Sequence, residues 1–204
     1  NSYSSPHYLQ KGMKVMKKLY STLLLSAIVI LFTAFTFNTQ NPELAYKYVG
    51  VKKCGMCHKS DKQGKQLSIW EKSDHAKAYE TLKTAKADEI AKKKGLKTKA
   101  VDAPECLKCH ATGYDKSNML EATFKIEQGI QCESCHGAGS EYAKVKKPSM
   151  SREDNKKAAV AKGLDVHADT EKFCKTCHNP ESPTYKPFNF KEKWNLIKHY
   201  VPKS

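Results

Sequence analysis

A mainly α fold is expected, made of short helices and long loops with little β structure. Three features of the 204-residue sequence predict it. Four Cys-x-x-Cys-His pentads recur at spacings of 52, 26 and 42 residues, too uneven for a solenoid. Between them lie short stretches of helical periodicity closed by glycine or proline. Apolar residues make up only 39% of the chain and charged residues 28%, a balance that suits disorder unless something else supplies the core.

The pentads supply it. They are Cys54-Gly55-Met56-Cys57-His58, Cys106-Leu107-Lys108-Cys109-His110, Cys132-Glu133-Ser134-Cys135-His136 and Cys174-Lys175-Thr176-Cys177-His178. In a c-type haem site two thiols bond to the porphyrin vinyl groups, and the following histidine offers its imidazole to the iron. Zinc cages or redox dithiols would also use Cys-x-x-Cys pairs, but neither needs histidine after each second cysteine. With eight histidines in the chain, four such placements by chance come to roughly two in a million. No cysteine is left for a disulfide or a thiol nucleophile. The expected fold is therefore short helices and loops wrapped around four covalently bound haem c groups.

Charge bounds the partners. The formal net charge is +15, of which residues 41–204 carry +11. Eight ionised propionates would reduce that to about +3. Much of the lysine excess then balances propionates, and nucleic-acid binding is a poor reading of the basic pI. Steering of an acidic redox partner remains consistent with it.

In order along the chain, residues 1–40 read as an export signal or N-terminal membrane anchor, and 41–204 as the tetrahaem domain. From Met16, Lys17 and Lys18 precede an uncharged apolar run over 19–37. Its 19 residues are long for a signal core and just enough to span a bilayer, so cleavage and retention both stay open. Either way the protein is exported, with a periplasmic location where haem attachment takes place, and it contacts membrane only if that segment is retained.

Residues 41–53 form an extended lead-in. Residues 67–83 read as one helix with His75, Ala78, Tyr79 and Leu82 on a single face. In a haem protein, a histidine on that stripe is a candidate distal iron ligand. A second helix covers 87–94 and stops at Gly95. A short strand is expected at 123–126. Gly137 and Gly139 would let backbone approach a porphyrin. Helices follow at 141–147, until Pro148, and at 152–162, closed by Gly163. Residues 179–188, with three prolines, wrap irregularly, and a last helix over 191–200 carries His199.

Ligand counting follows. His58, His110, His136 and His178 are proximal, and His7 belongs to the leader. His75, His167 and His199 remain for four sixth positions, so at least one iron lacks a histidine cap within a monomer.

Residues 69–78 (Ile-Trp-Glu-Lys-Ser-Asp-His-Ala-Lys-Ala), 102–114, 129–139 and the late His199-Tyr200 resemble the tetrahaem cytochrome c-554 family, over roughly 45–200. The resemblance implies a mainly helical fold with stacked haem pairs, three bis-histidine haems and one five-coordinate haem, and electron transfer from hydroxylamine oxidoreductase. It implies that the haem on His110 is open, that His75 caps the haem on His136, and that His199 caps the haem on His178. The chain departs from the family about ten residues beyond the third pentad. The family has a distal histidine there, and this chain has Lys146 with no histidine between His136 and His167. For the haem on His58, His167, Lys146, Met119 and Met150 are the remaining candidates, and Lys146 would first have to lose a proton.

The expected function is electron relay between exported redox proteins, a donor oxidoreductase and an acceptor cytochrome or membrane quinone system, rather than enzymatic turnover. Two alternatives stay open. One is a reductase of nitric oxide, hydroxylamine, nitrite or peroxide at an open iron, with Tyr114 or Asp115 as proton donor. The other is a quinol dehydrogenase anchored by residues 19–37.

Overall fold

The computed structural model describes residues 46–145 and 149–200. Among them nine α-helices are present: α1 (Val51–His58), α2 (Gln66–Lys72), α3 (Ala78–Thr81), α4 (Ala85–Lys93), α5 (Pro104–His110), α6 (Cys132–His136), α7 (Arg152–Val160), α8 (Thr170–Cys174) and α9 (Phe190–Ile197). None exceeds nine residues. Turns of 3₁₀ helix and irregular backbone join them, so the chain is mainly helical, as expected. The only β pairing among the described residues is one parallel bridge between Tyr48 and Leu120. No helix among these residues is long and apolar enough to cross a membrane, and residues 19–37 lie outside them.

Local chemistry accounts for the helix ends. Thr84, Ser151, Asp169 and Asn189 each accept a backbone N–H at the start of α4, α7, α8 and α9, and so satisfy a donor the helix cannot. Pro104 opens α5, where its missing N–H costs nothing. Gly95 and Gly163, both at positive φ, follow α4 and α7.

Two expectations are corrected. Residues 67–83 are not one helix. Ser73 is extended, and it separates α2 from a 3₁₀ turn (Asp74–Lys77) and α3. Its N–H and hydroxyl both bond the Trp70 carbonyl, closing α2 there. The break lets the His75 carbonyl accept from Ile130 N (3.0 Å) while the Trp70 indole donates to Ile130 O (2.7 Å). The strand at 123–126 does not form either. Phe124 is buried after a turn, and Ile126–Gln128 is 3₁₀ helix. Two edges bonded to one segment outweigh the weak local alternation.

The protein core is sparse. Leu82, Ala91 and Ala100 form one cluster under α4 and α5, and four of the eight buried apolar residues are alanine. The most enclosed large side chains are Gln131, Glu133 and Val49, so two of the three are polar.

Candidate functional site

Each pentad lies on a helix or helical turn. Cysteines three residues apart then share a face, with the histidine one turn beyond the first cysteine. The first three occupy α1, α5 and α6 whole. The fourth runs from the end of α8 into a turn in which the Cys174 carbonyl accepts from Cys177 N (3.2 Å) and His178 N (3.0 Å). All eight cysteines are free thiols.

The sulfurs approach one another in a definite order. The Cys54 thiol hydrogen-bonds Cys132, which holds the Cys54 proton on and eases the Cys132 proton off. Cys109 pairs with Cys177 in the same way, and the Cys177 thiol is pulled down to about 6. Burial first, then the neighbouring Cys174, pushes Cys135 up to about 11. Other contacts agree. Glu133 bonds the start of α1, His167 joins the Cys135 carbonyl to Phe173, and Lys108 pairs with Glu181 at 2.9 Å. The first pentad thus lies by the third, the third by the fourth and the fourth by the second.

Histidines meet across the same junctions. The His75 and His178 rings are centred 6.0 Å apart, and those of His136 and His199 5.9 Å apart. An ion about 2 Å from one nitrogen of each opposed ring places the ring centres about 6 Å apart. Both gaps are thus the size an iron needs. Burial, then the facing imidazole, lowers the pKa of His75 and brings His136 down to about 4, so both stay neutral and able to ligate. The His199 Nδ1 faces the Ile197 carbonyl at 3.0 Å, which leaves Nε2 for a metal.

The family resemblance implies a different assignment, with His75 on the haem of His136 and His199 on that of His178. His75 faces His178 rather than His136, and His199 faces His136 rather than His178. The cause lies in two backbone features. The Ile130 hydrogen bond fixes His75 at its own carbonyl, and α9 ends at Ile197, where Lys198 turns extended. His199 is therefore beyond the helix expected to carry it.

The other predicted residues divide. His110 Nδ1 lies 2.8 Å from the Ala78 carbonyl and 3.2 Å from Thr81 Oγ1, so Nε2 is the nitrogen left for a metal. His167 donates from Nε2 to the Cys135 carbonyl (2.9 Å), stacks on Phe173 and turns Nδ1 toward Asp165 at 3.7 Å. In this arrangement His167 ties its loop to the back of the third pentad. Met119 ends a 3₁₀ turn whose carbonyl accepts from Tyr48, and Met150 precedes α7. Asp115 is exposed and paired with Lys116. Lys146 and His7 lie outside the described residues.

One functional residue was missed by sequence reasoning. Glu133, between the thiols of the third pentad, is 2% exposed. Its Oε1 accepts from Val49 N (2.8 Å) and Gly139 N (2.7 Å), and its Oε2 from Gly50 N (2.8 Å). Burial pushes this carboxyl pKa up while the three amides pull against it. The clamp joins the segment leading into α1 and the glycine loop to α6. Gly139 thus meets Glu133, and Gly137 meets the Gly163 carbonyl. Gln131 adds a second clamp, accepting from Val51 N and donating to Lys125 O.

Gly129 holds the His75 junction. It adopts φ +70°, and a Cβ there would sit 2.6 Å from the His75 carbonyl. Gly129→Ala is expected to cost about 2 kcal/mol or more from the left-handed backbone alone. It should also displace His75, read as loss of one low-spin signal in electron paramagnetic resonance (EPR). An unchanged spectrum would show that His75 does not depend on this contact.

Among the described residues no three His, Cys, Asp or Glu side chains converge as a metal-ion cage would require. Free thiol pairs on one helix face, neutral imidazoles and two iron-sized gaps fit haem c instead.

Comparison with known proteins agrees. Residues 53–137 match the family described as cytochrome c554 and c-prime. Cytochrome c-554 of Nitrosomonas europaea is 32% identical over 142 residues, covering 64% of this chain and 57% of that protein. The chain thus spans little more than half the length of this relative. No solved structure matches. Residues 53–137, which carry the first three pentads, are thus similar to the cytochrome c554 family.

Proposed function

We propose that the chain is an exported tetrahaem c-type cytochrome that relays electrons between redox protein partners. The haem supplies the one-electron chemistry, while the polypeptide sets spacing, axial ligands and access. The observation that carries this reading is the interleaving of the four pentads. Glu133 ties the third pentad to the start of α1, and His167 bridges the Cys135 carbonyl to Phe173 beside Cys174. Lys108 and Glu181 tie the second pentad to the fourth at 2.9 Å, and imidazoles from 75 and 199 reach across to the fourth and third. Such a chain of adjacent sites suits conduction along the molecule. His75 and His199 as sixth ligands make the third and fourth sites low-potential relays.

Stopped-flow reduction of the holoprotein tests the proposal. Electrons delivered at a substoichiometric ratio are expected to redistribute among all four haems before a second mixing. Electrons stranded on single haems would sink the relay. EPR with magnetic circular dichroism should count two bis-histidine haems on His136 and His178.

A second reading, reduction of a small nitrogen oxide or peroxide at the iron on His110, has one observation in its favour. Among the described residues, His110 has no ring contact with a second imidazole of the kind the other two sites show. Of its two candidate proton donors, Asp115 is exposed and paired with Lys116, which leaves the half-buried Tyr114. Carbon monoxide binding by the ferrous protein is expected under either reading. Catalytic turnover is expected only under the second.

A further inference from the structure

We propose that α1 and the turn after it form the electron port of this cytochrome, and that the port fits a redox protein with an acidic surface. The inference rests on the relay reading and names which site exchanges electrons with the outside.

Three observations point there. The first pentad adjoins the third, whose Glu133 accepts from Val49 N and Gly50 N at the start of α1. It is also the most open: Cys57 is the one exposed pentad cysteine among the described residues, and Met56 beside it is 60% exposed. Thirdly, its charge is unlike that of the others. Residues 52–65 hold five lysines and one acid, whereas 97–116 hold four and three, 121–147 four and four, and 169–186 three and three. Two propionates per haem lower every site alike and leave this ranking unchanged.

The charges are also free to act. Asp61 pairs with Lys65 at 3.2 Å, while Lys52, Lys53, Lys59 and Lys62 are exposed and enter no ion pair among the described residues. An exposed apolar Met56 within a sequence stretch carrying those four exposed lysines suits a transient electron-transfer contact. Small buried area lets the partner leave, and opposite charge speeds its arrival. A nucleic acid would meet the same cations, but the exposed thioether and haem-bearing cysteine at the centre favour a protein that exchanges electrons.

The test uses reduced holoprotein and two copper proteins as one-electron oxidants, acidic plastocyanin and near-neutral azurin. In each reaction one ferrous iron becomes ferric and one cupric ion becomes cuprous, with no proton needed. A port variant carries Lys52→Glu, Lys53→Glu, Lys59→Glu and Lys62→Glu. A control carries the same charge change elsewhere: Lys86→Glu, Lys92→Glu, Lys156→Glu and Lys157→Glu. The port variant is expected to react with plastocyanin at least about tenfold more slowly at low salt and to lose most of its salt dependence. Its azurin rate should hardly change, and the control should keep the original plastocyanin rate within about twofold. The quadruple Lys→Gln variant at the port positions should fall in the same direction by a smaller factor, so the result stands even if the charge-reversed chain matures poorly. Equal losses in port and control variants, or no loss in either, would overturn the port. Incomplete oxidation of the four haems in the unsubstituted protein would instead count against the relay itself.

Discussion

Glu133→Ala is expected to destabilise the protein by about 4 kcal/mol, the largest stability effect of any single polar side chain here. The substitution strips the acceptor from Val49 N, Gly50 N and Gly139 N together. Each amide sits where water reaches poorly, and an unpaired buried donor costs about 1–3 kcal/mol. Glu133→Gln keeps the shape but aims an NH₂ group at an N–H donor, so it should lose about half as much. Glu141→Gln is the surface comparison. Glu141 pairs with Lys144 in solvent, and its loss should cost less than about 1 kcal/mol. Guanidinium unfolding of the three holoproteins checks the ranking. Equal stabilities for the Glu133 and Glu141 variants would mean the clamp contributes nothing net.

His75→Ala and His199→Ala are expected to give the largest spectroscopic changes. Each should convert one bis-histidine haem to high spin and raise the carbon monoxide stoichiometry of the ferrous protein by one. The geometry also predicts which haem responds. His75→Ala should open the iron on His178, and His199→Ala the iron on His136, because those rings face each other at 6.0 and 5.9 Å. Selective paramagnetic shifts of the His178 and His136 ring protons distinguish the two cases. A response at His136 on loss of His75 would restore the pairing the family resemblance implies. Loss of His167 should leave the spin count alone, since its Nε2 is committed to the Cys135 carbonyl.

Much of this protein is legible in the sequence because covalent chemistry is local. A Cys-x-x-Cys-His pentad carries its thiols and its iron ligand within five residues, so attachment sites, proximal histidines and helix-and-loop character follow without tertiary knowledge. Helix ends at Gly95 and Gly163 were readable for a similar reason, since glycine at positive φ is a local event.

What the sequence could not carry depends on segments far apart in the chain. The helical stripe through His75 was read as continuous, yet a hydrogen bond from Ile130, over fifty residues away, requires the backbone to break at Ser73. Nothing local marks Glu133 as buried, and only folding brings Val49, Gly50 and Gly139 around it. The pairing of distal and proximal imidazoles is of the same kind. Spacing tells how many histidines remain for the irons, but not which iron each one reaches. Local pattern thus carries the four pentads and the number of histidines. The break at Ser73, the imidazole rings that face each other and the buried clamp depend on contacts between distant segments, which leave no local pattern.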